Sequence, residues 1–223
     1  MQSKVTIHIP SLDREVSGLL NRPRASRAVI LLAHGAGAGM DHPFMEALTE
    51  QLNHNGLASL RYQFPYMDDG RKRPDHKNKL LPTIAAAISW AEENLGDVPL
   101  FLGGKSMGGR MSSLHLSETP NPAVRGLIFF GFPLHPAGKE GTVRGDHLKA
   151  VEGPMLFLQG DRDALAQLSL MKKVVAGLGT GRRMVVIKGA DHSFKTLKRS
   201  GVTADEVLER LAREASAFVA DHL

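Results

Sequence analysis

Short apolar runs recur along this chain between stretches patterned for helix. Val5 to Ile9 and Glu15 to Leu20 are extended segments around the turn Ser11-Leu-Asp-Arg14, which predicts a β-hairpin. Ala28 to Ala33 is continuously apolar, the pattern of a strand covered on both faces. Pro43 can start a helix. Met45, Leu48 and Leu52 then share one side, and Gly56 closes it. Leu57 to Tyr62 reads as the next strand. Gln63 to Lys79 is a polar, basic excursion with two prolines, and Ile84, Ile88, Ala91 and Leu95 mark a helix ended by Gly96. Leu100 to Leu102 is a short buried strand with a helix-compatible run after it, to Leu116. Strands follow at Arg125 to Phe130, Pro154 to Gln159 and Arg183 to Ile187, with a helix over Leu165 to Val175. The last helix opens on a capping box, Thr203-Ala-Asp-Glu206, and carries Leu208, Leu211, Ala215 and Phe218 on one face.

This alternation predicts an α/β fold. A hairpin pair and six further strands make an eight-stranded, mostly parallel sheet, with about five helices distributed over both faces. No linker or internal repeat divides the chain, so one domain over 1–223 is expected. Between the strand at Arg125 and the next, Gly131 to Gly153 leaves room for a loop but not for a cap, so no lid domain is expected.

Composition narrows the classes. The 223 residues are 42% hydrophobic and 23% charged, as in an ordinary globular protein. No apolar run is long enough to cross a membrane, and the N-terminus has no apolar signal segment. The absence of cysteine excludes disulfides, thiolate metal sites and a cysteine nucleophile, and fits a cytoplasmic location. The net charge of +5 raises nucleic acid as a partner. The basic stretch Arg71 to Lys79 is broken by Asp75 and lacks interleaved aromatics, so it reads as a solvated loop and no nucleic-acid partner is expected.

The chemistry centres on Gly104-Lys105-Ser106-Met107-Gly108, set between the strand at Leu100 and a helix. Strand, G-x-S-x-G, helix is the nucleophile elbow of an α/β-hydrolase. The turn is so sharp that side chains two residues either side of the serine collide, hence the glycines. It lifts the Ser106 hydroxyl off the sheet and aims the first helical amides at one point. A serine needs a base; His192 sits in the loop after the last strand. The base needs a carboxylate after the preceding strand, where Gln159-Gly-Asp-Arg-Asp163 offers two. Asp163 has the expected spacing from Gly160, with Asp161 as the alternative. Ser, Asp and His then fall at successive strand ends in the hydrolase order.

An oxyanion requires two donors. One is the amide of Met107; the other is placed in the small-residue loop His34-Gly-Ala-Gly-Ala-Gly39, at Ala36 or alternatively Gly37. Gly35, Tyr62, Phe132 and His135 are expected to line the substrate pocket, with Met107 and Phe64 as further walls. The glycine-rich loop does not meet dinucleotide-binding spacing, since Met40 or His42 falls where the third glycine belongs. His34, Asp41 and His42 have no metal-ligand spacing. No metal and no cofactor are expected.

These residues resemble a family. His34 to Met45, the elbow Gly104 to Arg110 and Gly131-Phe-Pro-Leu-His-Pro-Ala-Gly138 look like a branch of small α/β-hydrolases of the dienelactone-hydrolase and carboxylesterase type. The resemblance implies a serine-hydrolase fold with Ser106, Asp163 and His192 as triad. It departs from dienelactone hydrolase itself, whose nucleophile is cysteine. The expected activity is cleavage of small carboxylic esters or thioesters through an acyl-enzyme on Ser106. Two alternatives share the residues: a non-catalytic binding or scaffold protein on a hydrolase fold, and acyl transfer or perhydrolysis by the same triad.

Overall fold

The computed structural model describes residues 2–96 and 98–223. One sheet holds β1 (Gln2–Ile9), β2 (Arg14–Asn21), β3 (Val29–Ala33), β4 (Ala58–Tyr62), β5 (Leu100–Lys105), β6 (Val124–Phe130), β7 (Met155–Gly160) and β8 (Arg182–Ile187). Their spatial order is β1-β2-β4-β3-β5-β6-β7-β8. The expected hairpin forms with Gln2 opposite Asn21, and β2 also runs antiparallel to β4; every other pairing is parallel.

Helices cover both faces because β3 and β5 to β7 are largely apolar on both. All five residues of β3 are buried. On one face α1 (Pro43–His54) and α6 (Ala204–Ala220) share a core with Ile30, Leu32, Phe101, Ile128 and Leu156. On the other, α3 (Lys77–Leu95), α4 (Met107–Glu118) and α5 (Leu168–Ala176) pack against Leu31, Leu102, Leu127 and Phe157. The capping box of α6 forms in both directions between Thr203 and Glu206. Its buried stripe is Val207, Leu211, Ala212, Ala215, Phe218 and Val219, with Leu208 at the margin. Among the described residues no helix is long and apolar enough to cross a membrane.

Two segments differ from the sequence expectation. α3 begins seven residues before Ile84, at Lys77, and carries Pro82 inside. Burial of Leu80 and Thr83 anchors the added turns, and the Thr83 hydroxyl donates to the Lys79 carbonyl at 2.8 Å. The basic excursion is therefore partly helical, with a short α2 (Pro65–Asp68) as well. Some of its charges are paired: Arg71 reaches Asp69 and Asp75, and Lys77 reaches Glu118. The segment from Gly131 to Gly153 holds only a 3-10 stretch, Val143–Ala150, and no lid is evident.

Candidate active site

Parallel strands deliver their C-terminal ends to one edge, where open α/β sheets bind ligands. Ser106 follows β5 directly and sits at φ 52°, ψ −115°, a conformation that costs roughly 1–3 kcal/mol for a residue with a side chain. The two glycines make it feasible. A methyl on Gly104 would stand 2.3 Å from the Gly109 nitrogen, and one on Gly108 would stand 2.2 Å from the Ala33 oxygen. β5, α4 and β3 approach too closely for anything larger.

The side chains from three strand ends meet. The Ser106 hydroxyl lies 2.8 Å from His192 Nε2, and His192 Nδ1 lies 2.7 Å from Asp163 Oδ2. Asp163, with no exposed side-chain surface, also accepts from the Leu165 amide at 2.7 Å and from Gln159 Nε2 at 2.5 Å. Three donors thus converge on its two oxygens and fix the carboxylate in place. Asp161 goes elsewhere: its carboxylate accepts the Gly189 amide at 2.7 Å and shapes the turn after β8. The histidine loop is built by Asp191, whose Oδ1 accepts the amides of Ser193 and Lys195. Gly160 lets this loop approach, since a methyl there would stand 2.3 Å from the Ala190 oxygen.

The glycine-rich loop is held from below. His34 is fully buried. Its Nδ1 donates to the Gly35 carbonyl at 2.8 Å and its Nε2 accepts the Phe64 amide at 3.1 Å. That pairing demands a neutral imidazole, and burial lowers its pKa from 6.5 to about 4. Arg61, also buried, donates to the Met40 carbonyl at 2.9 Å. The Gly37 amide donates to the Tyr66 hydroxyl at 3.2 Å and is therefore engaged. Ala36 lines the cleft beside Ser106, and its amide is given no partner by the described residues.

That cleft, of about 300 Å³, is walled by Gly35, Ala36, Ala38, His42, Phe44, Met45, Lys105, Leu165 and Ser193 around Ser106 and His192. Three expected pocket residues lie outside it. Tyr62 is completely buried in the core and its phenol meets Ser112. Phe132 is equally buried, with its ring against Phe129 and Phe157. His135 is a backbone staple: Nδ1 donates to the Pro136 carbonyl at 2.9 Å and Nε2 accepts the Gln167 amide at 2.8 Å. For Tyr62 and Phe132 the reason is burial of ring surface in the core; for His135 it is the two backbone groups that its ring satisfies. Phe64 is likewise core, and Met107 packs partly into the core through its side chain. A larger groove of about 510 Å³ between β1 and α3 is lined by His8, Ser11 and Ser89 among others, and lies away from Ser106 and His192. Among the described residues no group of side chains has the makings of a metal site.

Three residues at the site go beyond the sequence expectation: Gln159, Lys105 and Phe44. Gln159 had a signal: an amide inside an otherwise apolar buried strand must find partners, and it spans the Phe132 amide and Asp163.

Comparison with known proteins agrees with this architecture. A family model described as an alpha/beta hydrolase domain matches residues 26–220. The chain belongs to that family. Dienelactone hydrolase from Anabaena variabilis superposes with a TM-score of 0.80 at 22% identity, covering 100% of this chain and 98% of that one. Est1E from Butyrivibrio proteoclasticus, solved with ferulic acid bound, gives 0.77 at 17% identity, covering 98% of both. At such identities the likeness is one of fold. A Mycobacterium tuberculosis (strain ATCC 25618 / H37Rv) protein provisionally named a phosphoribosyl transferase is 24% identical over 212 residues, 93% of this chain. The chain spans only 44% of that relative's length.

Proposed function

We propose that this hydrolase cleaves small carboxylic esters or thioesters through an acyl-enzyme on Ser106, with residues 1–223 acting as one domain. The observation that carries the reading is the continuous Ser106–His192–Asp163 chain at 2.8 and 2.7 Å, opening onto the cleft. His192 Nε2 takes the hydroxyl proton as Oγ bonds to the acyl carbon. Asp163 holds the imidazole by its Nδ1–H and stabilises the charge it acquires. The amides of Met107 and Ala36 receive the oxyanion, reinforced by the N-terminus of α4. The imidazolium returns its proton to the departing alkoxide or thiolate. Water, activated by the same histidine, then releases the acid and restores the serine. The apolar walls Phe44, Met45 and Leu165 favour a short apolar acyl or aryl group. The name of the M. tuberculosis relative belongs to a protein more than twice as long and adds no residue to this site.

A fluorophosphonate probe tests the reading. Label is expected on Ser106, located by peptide mass; a folded protein that stays unlabelled would overturn it. A second expectation concerns the cleft's dimensions. A methyl on Gly35 would meet Lys105 and Ser106 atoms at 3.6 to 3.8 Å, ordinary contact distance. Gly35→Ala is expected to keep its melting temperature within a few degrees. It should lose more kcat/KM on butyrate than on acetate p-nitrophenyl esters, by about tenfold, since a misplacement of the acyl group of about 1 Å costs up to about 10²-fold.

A further inference from the structure

Lys105 lies between Gly104 and the nucleophile at the end of an otherwise apolar strand. Its side chain runs toward the histidine loop. The ammonium donates to the His192 backbone carbonyl at 2.7 Å. It also lies 5.9 Å from the Phe44 ring centre and 5.5 Å from that of Phe194, which stack on each other at 5.7 Å, within cation–π range. Phe194 adopts φ 62° in the same loop, a strained conformation for a bulky residue that places its ring under the ammonium. Gly131, after β6, leaves room for it: a methyl there would stand 3.3 Å from Nζ and 3.7 Å from His192 Cε1. One lysine therefore joins α1, the loop after β6, the elbow and the histidine loop. An ammonium is costly to remove from water, and a residue serving only to fill space here would be apolar.

We propose that Lys105 is a positioning residue whose protonated side chain clamps the His192 carbonyl and holds the imidazole over Ser106, and that loss of its proton loosens this clamp and lowers activity. The proposal rests on Ser106 and His192 acting as above. The neutral amine keeps N–H donors but loses the charge-assisted bond and the attraction to the rings. The charges acting on the ammonium are Asp163, from the loop after β7, and Asp191, from the loop after β8, both favouring its charged form. Phe44 and Gly131 contribute no charge. Burial outweighs the carboxylates and lowers the lysine from 10.5 to about 8. Activity should accordingly fall as pH rises through about 8. Folding responds in the opposite sense to this group. Between about 8 and 10.5 the unfolded chain retains a proton that the folded chain has lost, so this lysine makes stability rise with pH there.

The experiment compares fluorophosphonate labelling rates of wild type, Lys105→Met and Lys105→Arg from pH about 6 to 10, with circular dichroism at each pH and an NMR titration of the His192 Cε1 proton in wild type and Lys105→Met. Wild-type labelling should fall roughly tenfold from pH about 7.5 to 9.5 while the dichroism is unchanged. Lys105→Met should label about tenfold more slowly at pH about 7 and show no alkaline fall, and Lys105→Arg should shift that fall above pH about 10. In wild type, His192 should show an inflection near pH 8 that Lys105→Met lacks. An alkaline fall retained in Lys105→Met, or a wild-type His192 titration without that inflection, overturns the role of Lys105 while leaving Ser106 as nucleophile. No labelling at any pH overturns both readings, whereas the NMR inflection alone reports the contact.

Discussion

Ser106→Ala is expected to lower ester turnover by on the order of 10⁶-fold while the protein stays folded. The substitution removes one oxygen and nothing else of structural weight. Alanine faces the same φ of 52°, and the hydroxyl's recorded partner is the His192 imidazole. Neither β5 nor α4 depends on it. Asp163→Asn should cost less, about 10⁴-fold, for a reason visible in its bonds. Asp163 Oδ2 accepts from both His192 and Gln159, and Oδ1 accepts from the Leu165 amide. An asparagine must turn an NH₂ toward one of these sites, setting donor against donor or forcing His192 into the other tautomer. Turnover of p-nitrophenyl acetate, alongside melting curves, measures both. A Ser106→Ala protein retaining a tenth of wild-type turnover would place the chemistry on another residue.

The second large effect is on stability in acid. Holding His34 neutral, with a pKa lowered from 6.5 to about 4, corresponds to about 3 kcal/mol. The sign follows from which state binds the proton. Below pH 6.5 the unfolded chain protonates this histidine while the folded chain does not, so stability falls as pH drops from 6.5 toward 4 and levels off below. His147, half-buried against Ser113 and also lowered to about 4, adds in the same direction. Set against a total of about 10 kcal/mol for a typical domain, this is a substantial share. Urea midpoints should drop steeply between pH about 6.5 and 4.5. His34→Gln should be less stable at neutral pH, because the Phe64 amide and Gly35 carbonyl lose their fitted partner, but its midpoint should decline less in acid. Parallel acid limbs in the two proteins would remove His34 from the account. The expectation is functional as well as structural, since His34 shapes the loop that presents Ala36.

The eight strands were legible because each is a run of apolar or alternating residues bounded by glycine, proline or polar turns, and a sheet buried on both faces tolerates little else. The elbow was legible for a different reason: backbone crowding at Gly104 and Gly108 is local, so the sequence records it directly. Ser106 followed from that motif, and His192 and a carboxylate after β7 from the order of the strands. The start of α3 was missed because Leu80 and Thr83 find their burial against distant elements, which outweighs the proline.

The chain by itself determined the fold class, the sharp turn at Ser106 and the order in which the polar residues arrive at the sheet edge, since all three depend on near neighbours in sequence. Only the tertiary structure shows that Asp163 and not Asp161 bonds His192, that the Gly37 amide is taken by Tyr66, and that Tyr62, Phe132 and His135 lie outside the cleft. Those choices depend on which hydrogen-bond partners and which buried surfaces lie nearby in space. The Lys105–His192 contact joins residues 87 apart in sequence. It exists because β5 and the loop after β8 end on the same side of one sheet.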